Sequence, residues 1–438
     1  MSRLRQLWEH LRSSLWLVPA LIVGGAAALA AVMVEAGALL DMDVLTERWP
    51  RLFGVGADGS RGLLTSIAGS MITVAGVTFS ITIVALALAS SQYSSRILQN
   101  FMRDRANQVV LGVFLGVFAY CLVVLRTIRG GDEVAFVPAI AVLTGLLLAF
   151  IAIGFLIFFI HHVAVSIQAT SIIESAAQET LEAVDRLFPA EVGKPASAQP
   201  REPQHDATGT LTMVPSLETG YIQGVDADAL FAFARERDIV VRMERGIGEF
   251  VIEGTSIASV TGGKLDDAST RSLNKAYATG RQRTLHQDAA YGVRQIVDVA
   301  LKALSPGIND TTTAINCLNY LGAILVRVAN RTIEPPFRSD GGRVRLVTRG
   351  PTFEMLLGES LDQIRQNADG NVAILSRLVQ ILEILAFQTG DPQRRSAIRQ
   401  HAALVAEVLE RSVPSAHDRA AVKASYDRLV ALLDAKGE

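Results

Sequence analysis

Four long apolar runs lie within the first 162 residues, and no run of comparable length follows them. The runs extend from Ser14 to Leu40, from Leu63 to Ser90, from Gln108 to Ile128 and from Val134 to Ile160. A transmembrane helix needs about 20 consecutive, mostly apolar residues. The sequence therefore predicts an α-helical membrane domain with four transmembrane helices over residues 14–162, followed by a soluble domain.

An even number of spans places both termini on the same side of the bilayer. The positive-inside rule hardly distinguishes the two possible orientations. The N-terminus and the second loop carry six arginines, and the other two loops carry five. The chain has two cysteines, Cys121 in the third run and Cys317 in the soluble part. A single thiol in a large soluble domain suits a reducing compartment, so we expect both termini to be cytoplasmic.

Residues 1–13 are expected to form a short interfacial helix. Leu4, Leu7, Trp8 and Leu11 share one helical face, with arginines opposite. An amphipathic helix of this kind lies in the plane of the membrane surface, and here it would lead into the first span.

The second run is unusual because it is rich in small hydroxyl-bearing side chains and carries no charge from Gly62 to Ser95. At about 100° per residue, six small residues fall within an arc of roughly 120°. They are Ser66, Gly69, Ser70, Thr73, Gly76 and Ser80. Such a face favours close helix packing, because small residues let backbones approach. The alternative is that several copies of the face line a water-filled path, since uncharged hydroxyls hydrate a pore without the cost of buried charge.

The soluble part is predicted to be an α+β domain that combines a small β-barrel or sandwich module with a helical bundle. We expect a connecting helix over residues 163–192, a flexible linker over 193–209 and the β module over 210–262. A helix-turn-helix region over 263–350 follows, and four helical segments over 351–438 form the bundle. Within the helix-turn-helix region, Arg343 to Thr348 offers one further strand for the earlier sheet.

The densest group of polar residues lies in RTLHQDAAYGVRQIVDVALKALSPGINDTTTAI, residues 283–315. Its pattern predicts a helix, a tight turn at Pro306 and Gly307, and a second helix that Asn309 or Asp310 caps. One interpretation is a polar network that fixes the corner between the two helices. The other is a ligand or cation site, whose oxygen ligands would suit Mg²⁺ or Ca²⁺. The candidate residues of that site are Arg283, Asp288, Asp298, Asn309 and Asp310.

That stretch is one of two distinctive motif regions. Together with LLTSIAGSMITVAGVTFSITIVALALASSQYSSRILQNFMRDR from the second run, it resembles the bacterial predicted membrane proteins grouped as domain of unknown function 2254. The resemblance covers nearly the whole chain. It implies an integral protein of the bacterial inner membrane and brings no activity with it.

The sequence contains no hydrolase elbow, Walker loop, HExxH helix or dinucleotide fingerprint, so we do not expect an enzyme. No dense basic block interleaved with aromatic residues indicates nucleic-acid binding. Our leading hypothesis is an oligomeric channel or transporter for ions or small solutes, gated by its cytoplasmic domain. The alternative is a membrane-anchored sensor or scaffold whose soluble domain binds a ligand or a partner protein. The expected partners are the lipid bilayer and further copies of the chain, and Mg²⁺ or Ca²⁺ is the only cofactor that the residues suggest.

Overall fold

A computed structural model describes residues 16–39, 56–92, 104–129, 136–188, 211–262, 265–285, 287–333 and 335–435. The chain divides into two compact units, residues 1–171 and 172–438. The expected interfacial helix over residues 1–13 and the expected linker over 193–209 lie outside the described residues.

Among the described residues of the first unit, four long helices each overlap one of the four apolar runs. They are α1 (Leu17–Leu39), α2 (Ala57–Gln92), α3 (Arg105–Thr127) and α4 (Ala139–Ser166). Helix α2 begins earlier than its apolar run, because the polar segment before Leu63 is also helical. Asp58 lies in the first turn, where the helix dipole favours a negative charge. Arg61 donates to the carbonyl of Ile128 at 3.1 Å, which ties the start of α2 to the end of α3.

Helix α3 is the centre of the first unit and packs against α1, α2 and α4. Its close approach to α1 depends on Gly112 and Gly116, which are spaced as a GxxxG pair. A Cβ atom on Gly112 would lie 2.7 Å from Cδ1 of Ile22 and 3.1 Å from Cα of Pro19. Small residues at this spacing let two membrane helices pack with their backbones in contact. On the other side of α3, the buried hydroxyl of Tyr120 donates to the carbonyl of Ala141 in α4 at 2.8 Å.

The second unit begins with most of helix α5 (Ala169–Leu187), which is separate from α4. The sequence predicted a connecting helix over residues 163–192. The structure ends α4 at Ser166 and starts α5 three residues later. Near its end, Asp185 forms ion pairs with Arg327 at 2.9 Å and Arg331 at 2.5 Å. Burial on its own raises the pKa of Asp185, but these two arginines hold that pKa below its ordinary value.

The β module contains two sheets and two short helices. Its elements are β1 (Leu211–Pro215), β2 (Gly220–Val225), α6 (Ala227–Glu236), β3 (Val240–Met243), β4 (Phe250–Val251), β5 (Ser256–Thr261), α7 (Asp267–Lys275), β6 (Tyr277–Gly280), β7 (Phe337–Asp340) and β8 (Arg343–Val347). The strand orders are β1-β5-β3-β8-β7 and β4-β2-β6. The described strands therefore form two open sheets, and one hydrophobic core joins both sheets to α6 and α7.

Strand β8 confirms the prediction that Arg343 to Thr348 adds to the earlier sheet. It runs parallel to β3, with Val241 opposite Leu346, although about 100 residues separate the two strands along the chain. The sequence reading missed β6, β7 and α7. Strands β6 and β7 are only four residues long, and the nine-residue α7 is mostly polar, so none of them carries enough apolar periodicity to be recognised.

The remaining helices form one bundle. They are α8 (Ala289–Ala303), α9 (Thr311–Ala329), α10 (Phe353–Gln366), α11 (Val372–Gln388), α12 (Pro392–Ser412) and α13 (Ala416–Ala435). The last four match the four helical segments predicted for residues 351–438. Helices α8 and α9 pack on α10, and α9 also packs on α11, so the helix-turn-helix joins the same bundle. In the described chain, α9 is one of five helices that are long and apolar enough to cross a membrane, together with α1 to α4.

Two adjacent arginines at the start of α12 cap the ends of three other helices. Arg394 donates to the carbonyls of Ala329 and Arg331 at the end of α9, at 2.5 and 3.0 Å. Arg395 is buried and donates to four carbonyls at the ends of α11 and α13, at 2.8 to 3.2 Å. The last carbonyls of a helix have no partner within the helix and carry its negative dipole end. The guanidinium group of an arginine has five N–H donors, which satisfy these carbonyls. The same hydrogen bonds offset the cost of burying the charged group.

We predict that Gly112→Leu destabilises the first unit by about 1–3 kcal/mol, the usual cost of overpacking. The added side chain has to displace Ile22 and the backbone at Pro19. Gly154→Leu is the matched control, because a Cβ on this exposed glycine of α4 meets no described atom within 4 Å. Denaturant unfolding in detergent micelles measures both variants. Equal losses of stability would show that the contact between α1 and α3 is not close-packed.

Candidate functional site

Helix α2 has two opposite faces, and only one of them packs against its own chain. The packed face carries buried side chains that include Leu64, Ile67, Met71 and Ala75. The six small residues from the sequence pattern are all exposed. At about 100° per residue, the centres of the two faces lie nearly 180° apart. Within the described chain, therefore, the small face is not packed against α1, α3 or α4.

The exposed face follows a seven-residue repeat that includes one residue the sequence reading left out. Gly62 precedes Ser66, and positions 62, 66, 69, 73, 76 and 80 alternate in steps of four and three. A repeat of this period keeps one seam facing a partner helix along a left-handed crossing. A Cβ atom on Gly62, Gly69 or Gly76 meets no heavy atom of the described chain within 4 Å. The seam is thus open along its length in a single chain.

The hydroxyl groups of this face bond to their own helix. Ser66 donates to the carbonyl of Gly62, Ser70 to that of Ser66 and Thr73 to that of Gly69, each at 2.8 Å. These bonds satisfy the hydroxyl hydrogens and leave oxygen lone pairs on the exposed surface. At about 100° per residue, Thr73 lies at the centre of the face, Ser70 at one edge and Gly76 at the other.

The second group of predicted residues begins with a buried ion pair. Arg283 donates from Nε and Nη2 to the two oxygens of Asp288 at 2.8 and 2.9 Å. Asp288 is also the N-cap of α8 and accepts from the backbone N–H of Tyr291 at 3.0 Å. Gly248, at φ +84°, brings its backbone against the pair, and a Cβ atom there would collide with the carboxylate of Asp288. Burial on its own lowers the pKa of Arg283, but Asp288 and the charge of Glu359 raise that pKa above its ordinary value.

The other candidate residues have separate partners. Asp298 pairs with Arg294 on the same helix at 2.8 Å, and Arg294 reaches Glu359 of α10 at 3.4 Å. Asp310 is the N-cap of α9, which confirms the predicted cap. It accepts from the N–H and the hydroxyl of Thr313 at 3.0 and 2.6 Å, and these bonds hold its pKa below the ordinary value.

Asn309 forms the turn before this cap, with a left-handed φ of +48° that asparagine tolerates better than most residues. The structure therefore brings Arg283 and Asp288 together and distributes Asp298, Asn309 and Asp310 among other local interactions. In the described part of the chain, no group of three or more His, Cys, Asp or Glu side chains could hold a metal ion. The geometry is that of a polar network at the corner between two helices.

One further polar pair was missed by the sequence reading. His162, near the end of α4, lies 2.5 Å from Asp104, the N-cap of α3. The two residues are 58 positions apart, so no local spacing could have linked them. The adjacent His161 is exposed and points elsewhere, as expected for neighbours on a helix.

The distinctive second helix and the turn before α9 fall within a match to a known family. The model of the family described as predicted membrane protein (DUF2254) matches residues 12–384. The chain belongs to this family. Membership agrees with the several long apolar helices of the first unit.

Family relatives extend the similarity over the complete chain. Uncharacterized proteins of Mycobacterium tuberculosis (strain CDC 1551 / Oshkosh) and Mycobacterium bovis are each 33% identical over 451 aligned residues. The matches cover 100% of this chain and 84% of each relative. No solved structure matches the chain.

We predict that Asp288→Asn destabilises the second unit by about 3 kcal/mol, because Arg283 keeps its charge in a mostly buried position without a partner. Asparagine caps a helix about as well as aspartate, so α8 keeps its N-cap. Asp310→Asn is the matched control, since it also keeps a cap and breaks no ion pair. Thermal and denaturant unfolding of the two variants gives the comparison. Similar small effects at both positions would contradict the importance of the buried pair.

Proposed function

We propose that α1 to α4 cross the bilayer and that α9 lies in the soluble bundle. The apolar segments of α1 to α4 are more hydrophobic than that of α9. Helix α9 also packs against three helices of the second unit and ends in ion pairs with Asp185. Four spans place both termini in one compartment. The single thiol of the soluble part favours the cytoplasm, and the mycobacterial relatives favour a bacterial plasma membrane.

The protein functions, in this proposal, as an oligomer whose subunits meet through α2. The observation that carries the proposal is the small face of α2, which is exposed and points away from the rest of the first unit. A face that contacts only lipid has no need of small polar residues, and outside this face the exposed side chains of α2 include Ile72 and Phe79. Between membrane helices, by contrast, small residues permit close packing. Copies of α2 in the same membrane run parallel, so equivalent positions of the repeat meet at equal depth.

Different residues of the small face would serve subunit packing and the path for solutes. Gly69 and Gly76 lie toward one edge, where a neighbouring copy of α2 can approach closely. Ser66, Thr73 and Ser80 lie at the centre of the face and present hydroxyl oxygens. In a ring of copies these oxygens face the central axis, where they replace part of the hydration of an ion or small solute. We therefore propose a channel or transporter for ions or small solutes, with no catalytic activity and with the second unit as its gate.

We predict that Thr73→Leu and Ser70→Leu lower ion flux through the reconstituted protein and leave the oligomer intact. Leucine at these positions narrows the path and removes hydroxyl oxygens from it. Ile72→Leu is the matched control, because it changes a neighbouring exposed residue outside the face. Flux from loaded liposomes and native mass spectrometry of the same preparations measure conduction and assembly.

Two results would contradict the proposal. Unchanged flux in variants that still assemble would show that the small face does not line the path. A wild-type protein that assembles but conducts nothing would favour the scaffold or sensor alternative, in which the same seam is closed and dry.

A further inference from the structure

The end of α4 is joined to the beginning of α3 by a hydrogen-bonded pair of side chains. Nε2 of His162 lies 2.5 Å from Oδ2 of Asp104 and 3.4 Å from the hydroxyl of Ser166. The imidazole ring also stacks on Phe158, with ring centroids 5.5 Å apart and planes 15° apart. The side chains of His162 and Asp104 are about three-quarters buried, at 27% and 22% exposure. The imidazole is thus held in one orientation by contacts on several sides.

Asp104 is engaged through both of its oxygens. Oδ1 accepts from the N–H of Ala106 at 2.9 Å and caps α3, while Oδ2 meets the imidazole. A negative charge is favoured at the N-terminus of a helix. The dipole of α3 therefore stabilises the carboxylate of Asp104 in the position where it holds the imidazole of His162.

The position of the pair gives it consequences beyond local stability. His162 is one turn before Ser166, where α4 ends. Helix α5 starts at Ala169, and from Ile172 onward the chain belongs to the second unit. The pair therefore holds the last turn before the single covalent connection between the units. Its other half starts α3, the helix that packs against α2.

Asn107, in the first turn of α3, is buried, and within the described residues neither polar atom of its amide has a hydrogen-bond partner. An unsatisfied buried polar group is costly. A local rearrangement that satisfied this amide would remove that cost.

We propose that the Asp104–His162 pair is a conformational latch. With the pair formed, the last turn of α4 and the first turn of α3 move together, so a displacement of the second unit acts on α3 and through it on α2. With the pair broken, the last turn of α4 follows the second unit alone. The latch rests on the proposed membrane placement of α1 to α4 and is independent of whether α2 lines a path.

Hydrogen–deuterium exchange of the full-length protein in lipid nanodiscs tests the latch. Asp104→Asn keeps a good N-cap on α3 and removes the charge, and His162→Gln removes the other partner. Each is expected to raise amide exchange over residues 163–168 by about five- to tenfold, the effect of losing a partly buried hydrogen-bonded pair at a helix end. The double variant should exchange no faster than the single variants, because all of them lack the same interaction.

One further variant is the matched control. His161→Gln alters the exposed neighbouring histidine and should leave exchange unchanged. Unchanged exchange in the single variants, or additive increases in the double variant, would overturn the latch. Exchange is read without any flux, so this result and the conduction test of the α2 face can fail separately.

Discussion

The close contact between α1 and the glycine side of α3 determines which helix faces of the first unit are packed and which remain exposed. Gly112 and Gly116 bring the two backbones together and leave no room for a side chain. Helix α3 then offers its remaining surface to α2 and α4. Helix α2 packs through its bulkier residues, so its small polar face remains on the outside. Small residues at close spacing therefore occur on both helices. On α3 they pack within the chain, and on α2 they remain exposed.

The second unit positions its helices through charged side chains at helix ends rather than through small residues. Aspartates cap α8 and α9, and Arg394 and Arg395 cap the opposite ends of three helices. Each of these groups is placed where a helix end lacks partners for its own N–H or C=O groups. The motif that contains the candidate cation-site residues is built by the same principle. Asp288 and Asp310 are engaged as caps, and Arg283 neutralises the more buried of the two.

Local sequence patterns predicted most of the helices and the small face of α2. Apolar runs and helical periodicity located α1 to α4 and α10 to α13 because each of these helices has a long apolar stripe. The cap at Asp310 was also predictable, since capping depends on residues three positions apart. Strands β6 and β7 were not, because four residues carry too little pattern.

Distant contacts could not be read from the sequence. The pairs Arg294–Glu359 and Asp104–His162 join residues 65 and 58 positions apart, and many other charged residues have the same local surroundings. The orientation of α2 was equally hidden. Its sequence defines two faces, but only the packing of α3 shows which one is covered.

The exposed face of α2 is proposed as the contact between subunits and as the surface that surrounds a path. A three-dimensional map of the purified protein in lipid nanodiscs tests it most directly. The account predicts a ring of subunits with the α2 helices around the central axis and Thr73 facing that axis. A monomer, or an oligomer in which α2 contacts lipid and other surfaces form the interface, would contradict it.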